Sequence, residues 1–206
     1  MTAQRPHVVV LAGPNGAGKS TAAPTLLRGR LGVTEFVNAD TIARGLSGFS
    51  PEQAAFDAGR VMLMRLDRLA TQRRSFAFET TLASRTFAPR LKEWIGGGYA
   101  FHLVYLFVYL WLPSADFALA RVRERVYLGG YDVPEDTVRR RYSRGLANFF
   151  TLYMPLTTTW RFYDNSGRRS RLIAHGKGRT QVIVVHDTLW QQVTEVQHGG
   201  ERIRSH

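Results

Sequence analysis

Eight residues near the N-terminus constrain this chain more than any others: Gly13-Pro14-Asn15-Gly16-Ala17-Gly18-Lys19-Ser20, with Thr21 next. Glycine, four residues, then Gly-Lys-Ser is the spacing of a phosphate-binding loop. The glycines let the backbone curl until successive N–H groups point at one phosphate, and the helix that follows adds its positive N-terminal end. Lys19 is expected to reach the β- and γ-phosphates and Ser20 to hold a magnesium ion, so the motif predicts binding of ATP or GTP. With glycine at about 7% of residues, a chance match in a chain this long has a probability of about one per cent.

The surroundings suit the motif. Residues 7–12 form a short β-branched run that reads as a buried strand, and residues 19–31 read as a helix distorted early by Pro24. Further strands are predicted at 36–39, 75–80 and 99–112. A helix is predicted over 51–73, opened by Ser50 as N-cap with Pro51 at the first helical position. Others are expected over 86–96, 114–127 and 134–153. Residues 161–164 and 171–174 read as a strand pair about the turn Asp164-Asn165-Ser166-Gly167, which would suit a loop under a nucleotide base. Strand 181–185 and helix 188–196 follow, with a flexible tail from 197. Strands alternating with helices predict an α/β chain with a central, mainly parallel sheet covered on both faces. One domain over 1–196 is expected, with a helical lid at about 114–150.

Ligands of open α/β sheets bind beyond the carboxyl ends of the strands. Asp40 follows the second strand and Glu79 ends the third, so both should face the phosphate loop. A carboxylate there can take the proton of an attacking hydroxyl, and Asp40 is the better candidate. Asp40 also reads as a helix N-cap. Glu79, with Thr80 beside it, could orient substrate or hold magnesium through water.

The net charge of +12 comes from 28 basic and 16 acidic residues, and only Lys19, Lys92 and Lys177 are lysines. Arginine excess suits phosphate recognition, since the planar fork grips two oxygens. Arg121 and Arg125 share one helix face, Arg139, Arg140, Arg141 and Arg144 lie on the next helix, and Gly129-Gly130 between them is hinge-like. Arginines on a closing segment can stabilise a transferring phosphoryl group. The absence of cysteine excludes disulfides and thiolate chemistry. The longest apolar stretch, 101–113, falls short of the ~20 residues of a membrane helix, and a cytoplasmic protein is expected.

Six segments in order, 14–21, Asn38-Ala39-Asp40, Phe78-Glu79-Thr80-Thr81-Leu82, Arg125-Val126 with Gly129-Gly130 and Val133-Pro134, Arg139-Arg140-Arg141-Tyr142, and Asp164-Asn165-Ser166-Gly167, resemble the zeta-toxin-like P-loop kinases, in particular their shorter, non-typical bacterial branch. The likeness covers about 7–190. It implies a three-layer P-loop kinase fold. It also implies ATP- and magnesium-dependent phosphorylation of a hydroxyl on a UDP-sugar such as UDP-N-acetylglucosamine, and an antitoxin partner. By position it places the base on Asp40, the phosphate lysine on Lys19, a substrate-side acid on Glu79, and lid arginines among Arg121, Arg125 and 139–141, with Arg140 chosen for substrate. Tyr131 stands where the family pattern has histidine. Other acceptors, an antibiotic or a nucleoside, remain open. So does a nucleic-acid-binding NTPase, which only the basic charge favours.

Overall fold

The computed structural model describes residues 5–51, 53–107, 119–120, 122–123, 127, 133–167 and 169–202. The chain opens with β1 (His7–Ala12), α1 (Lys19–Ala23) and β2 (Glu35–Val37). Next come α2 (Ala39–Leu46), α3 (Ala55–Thr71), β3 (Phe76–Thr80), α4 (Phe87–Gly96) and β4 (Ala100–Phe107). After them stand α5 (Glu135–Asn148), β5 (Thr159–Asp164), β6 (Arg171–Lys177), β7 (Gln181–Val184) and α6 (Asp187–Arg202).

The seven strands form one sheet in the order β2-β3-β1-β4-β5-β6-β7. The first five are parallel, with Val10 of β1 opposite Phe78 of β3 and Leu103 of β4. The last two turn back antiparallel. Successive side chains of a strand point to opposite faces. Val8, Val10, Phe76 and Phe78 therefore pack with Met62, Leu66 and Leu69 of α3, Leu91 and Trp94 of α4, and Leu146 of α5. Val9, Leu11, Ala77 and Val104 face Ala23 and Leu27 on the other side. The result is a three-layer α/β fold with a mostly parallel central sheet.

Several sequence expectations shift in detail. Pro24 cannot supply an N–H to the helical ladder, and from Pro24 to Arg30 the first helix continues in π-helical form. The helix expected from Pro51 starts at Ala55, because the carbonyls of Ser50 and Pro51 accept from Gln53 and Ala54 in a turn. The expected N-cap role of Asp40 falls to Asn38, whose side chain accepts from the Thr41 N–H at 3.1 Å. The last helix continues past the expected end at 196 to Arg202.

In the segment expected as a lid, the described positions 119, 120, 122, 123 and 127 are helical, and Leu119, Val122 and Val133 pack against Val138 of α5. Arg121, Arg125 and the Gly129-Gly130 hinge lie outside the described residues, as does the end of the strand expected over 99–112. Among the described residues no helix is long and apolar enough to cross a membrane.

Candidate active site

The loop between β1 and α1 stands at the carboxyl edge of the sheet, where the topology places ligands. Gly18 sits at φ +75°, a left-handed conformation that favours glycine, and a Cβ there would lie 2.7 Å from Asn165 Nδ2. The backbone thus favours glycine here, and a side chain would also displace Asn165. Asn165 Nδ2 donates to the Ala17 carbonyl at 2.7 Å, while Asn165 Oδ1 accepts from Ser170 Oγ. The turn after β5 is thereby tied to the phosphate loop. Asp164, at the root of that turn, is buried, which raises its pKa. Hydrogen bonds from Ser166 and the Arg171 guanidinium at 2.8 Å outweigh burial and hold the carboxyl below its usual range.

Lys19 is 6% exposed, and its ammonium donates to the Pro14 carbonyl at 2.8 Å and lies 3.7 Å from Glu79 Oε1. Glu79 Oε2 accepts from Ser20 Oγ at 2.9 Å and from Asn38 Nδ2 at 2.8 Å. One carboxylate therefore gathers the loop lysine, the loop serine and the residue capping α2. Sequence reasoning did not single out Asn38 as a partner, although a side-chain amide two residues before Asp40 was a readable cap signal.

Asp40 lies in the first turn of α2, half-buried, and lines the same cavity as Glu79. That cavity holds about 440 Å³. Asn15 and Lys19 close it on the loop side, Thr80 and Thr81 at the end of β3, Phe56 and Arg60 along α3, and Arg141 from α5. Asn15 is 7% exposed and its Oδ1 has no hydrogen-bond partner among the described residues. A buried acceptor without a donor is costly, so a ligand or water donor is expected there. The expected substrate arginine, Arg140, is exposed; its Nη2 lies 3.4 Å from Thr137 Oγ1, and Arg141 lines the cavity instead. Arg60 escaped the sequence reading entirely. Helical periodicity marks which face of α3 is buried, and Arg60 lies beside that face, exposed.

The loop after β3 is held by contacts distant in sequence. Leu82 adopts φ 57° without being glycine, and its N–H donates to Thr80 Oγ1. Asn148 Nδ2 donates to the Leu82 carbonyl at 2.7 Å, and the Tyr153 hydroxyl donates to the Ser84 carbonyl at 2.6 Å. Gly145 passes so close to the Thr81 carbonyl that any Cβ would overlap it. The end of α5 thus fixes the segment that carries Thr80 and Thr81 into the cavity.

The sequence pattern of the AAA domain family matches residues 8–152, from β1 into the π-helical stretch after α5. The chain belongs to this family. The chain is also 32% identical over 132 residues to an uncharacterized protein of Haemophilus influenzae, a match covering 63% of this chain and 88% of that protein. Its fold is similar to a chain of the AvrRxo1-ORF1:AvrRxo1-ORF2 complex determined with ATP. There the TM-score is 0.73 and the identity 17%, over 95% of this chain and 65% of that one. This chain thus spans about two thirds of the AvrRxo1 chain it matches. It is also similar to a chain of the PezAT chromosomal toxin–antitoxin system of Streptococcus pneumoniae, at TM-score 0.64 and 14% identity over 98% of this chain and 87% of that one.

Proposed function

We propose that this protein transfers the terminal phosphoryl group of ATP or GTP to a hydroxyl of a small molecule, with a sugar nucleotide such as UDP-N-acetylglucosamine as acceptor. The observation that carries this reading is the shared cavity. Asp40, Glu79, Arg60 and Arg141 line it together with Lys19 of the phosphate loop, leaving room for an acceptor beside the γ-phosphate.

In this reading the loop N–H groups and Lys19 hold the donor phosphates. Asp40 accepts the proton of the acceptor hydroxyl as its oxygen forms a bond to the γ-phosphorus. The bond from that phosphorus to the bridging oxygen breaks, and the nucleoside diphosphate leaves. Ser20 and Glu79 supply the hard oxygen donors that suit magnesium. When bound, the ion would neutralise charge on the β- and γ-phosphates. Arg60 and Arg141 meet an anionic acceptor; neither has an ion-pair partner among the described residues. Arg121 and Arg125 remain our candidates for lid arginines, and an antitoxin that covers the site is the partner we propose.

The test is a panel of metabolites incubated with labelled ATP, magnesium and the protein, read by mass spectrometry. A phosphorylated sugar nucleotide is expected. Label appearing only in inorganic phosphate would sink the kinase reading, and label on another hydroxyl compound would replace the acceptor.

A further inference from the structure

Helix α3 presents a face that the fold itself does not explain. Phe56, Gly59, Arg60 and Leu63 recur at the spacing of one helical face, and all four line the same cavity as Lys19 and Glu79. Phe56 is 78% exposed, a large aromatic ring left open to solvent. Gly59 sits inside a 17-residue helix, where glycine is a poorer choice than alanine. No contact demands it: among the described residues, a Cβ built there meets no atom within 4 Å beyond its own stretch of helix. Gly29 and Gly45 have similar open space but do not line the cavity. The protein's own packing therefore leaves room for a Cβ at 59, and the site that would feel one is the cavity.

We infer that this face is the acceptor platform, with Phe56 stacking on a flat ring, Gly59 giving that ring headroom and Arg60 with Arg141 meeting a phosphate. An aromatic ring beside guanidinium groups recognises a nucleoside phosphate, because every base offers a π-face and every phosphate two oxygens to an arginine fork. Gly59 then sets specificity, since each added methyl group takes space from the ring and leaves the donor site alone. The inference rests on the proposed phosphotransfer to a sugar nucleotide.

Calorimetric binding of UDP-N-acetylglucosamine and of ATP to the parent protein, Gly59→Ala, Gly59→Leu and Phe56→Ala tests it. The expected result is at least tenfold weaker UDP-N-acetylglucosamine binding for Gly59→Ala, no detectable binding for Gly59→Leu, and about fivefold weaker binding for Phe56→Ala. ATP affinity should stay within about twofold of the parent. Gly59→Ala should also raise the Tm by about 1–4 °C, because alanine is the better helix former. Lost acceptor binding in a more stable protein cannot come from unfolding. Unchanged acceptor binding in both Gly59 variants overturns the inference. If the parent itself fails to bind UDP-N-acetylglucosamine, the sugar-nucleotide reading fails separately. The same variants are then compared for the product each labels in a metabolite extract with labelled ATP. Reduced product in Gly59→Leu supports the platform, equal product overturns it, and an extract in which the parent labels nothing overturns both readings.

Discussion

Replacing Glu79 with glutamine should lower stability without weakening metal-free nucleotide binding. Glutamine keeps the shape and one acceptor oxygen for Ser20 and Asn38, but removes the charge 3.7 Å from Lys19. At that separation two unit charges attract by about 4.5 kcal/mol at an effective dielectric of 20. That is a gross figure. Removing one member of a buried pair costs about 3–5 kcal/mol when the other is stranded. Here Lys19 keeps its bond to the Pro14 carbonyl, so a net loss of about 1–3 kcal/mol is expected. For a chain of this size that lowers the Tm by roughly 2–12 °C. The phosphates of ATP supply the anion that Lys19 has lost, and they no longer compete with a carboxylate. Metal-free ATP should therefore bind the variant as tightly as the parent or up to about tenfold tighter, a gain of about 1.4 kcal/mol. Thermal denaturation with and without ATP in a chelator reads both effects. A variant as stable as the parent, with weaker metal-free ATP binding, would show that Glu79 does not hold Lys19 in reserve for phosphate.

Three other perturbations probe separate parts of the structure. Lys19→Ala should weaken ATP binding by more than about tenfold and remove transfer, measured by calorimetry and product formation, since no other lysine lines the cavity. Gly145→Ala drives a methyl group into the Thr81 carbonyl; it should cost about 1–3 kcal/mol in denaturant unfolding and slow turnover by shifting Thr80 and Thr81. His102 stacks on His7, its Nε2 lying 2.9 Å from His7 Nδ1. Burial first, then the charges of His7, Arg5 and Arg161, lower its pKa. The unfolded chain thus binds a proton more readily, so this contribution is complete above pH of about 6.5 and is lost as pH falls through the depressed folded value. Denaturant titrations at stepped pH should show that slope, and His102→Gln should flatten it.

The phosphate-loop side of the cavity was legible from local chemistry. The glycine spacing of the phosphate loop is dictated by its own backbone, and β1 before it and α1 after it lie where the pattern requires. Asp40 and Glu79 could be placed together because a parallel sheet brings successive strand ends to one edge. The contacts that brace the cavity were not legible. Asn165 reaches Ala17 across 148 residues, and Asn148 reaches Leu82 across 66, so no sequence window contains either pair. Arg140 and Arg141 differ by one residue, about 100° around a helix, which lies within the error of reading a polar helix face. Ser50-Pro51 misled for a related reason. A local cap signal is also a turn signal, and the turn closed by Gln53 and Ala54 prevails.

Asp40→Asn tests the central claim most directly, because it changes one atom at the position proposed to take the acceptor proton. The measurement compares parent and variant for phosphorylated UDP-N-acetylglucosamine formed from ATP and magnesium, alongside ATP binding by calorimetry. The account predicts product in the parent, ATP affinity within about threefold in the variant, and product formation lowered by at least about 10²-fold. Transfer by Asp40→Asn at the parent's rate would contradict it.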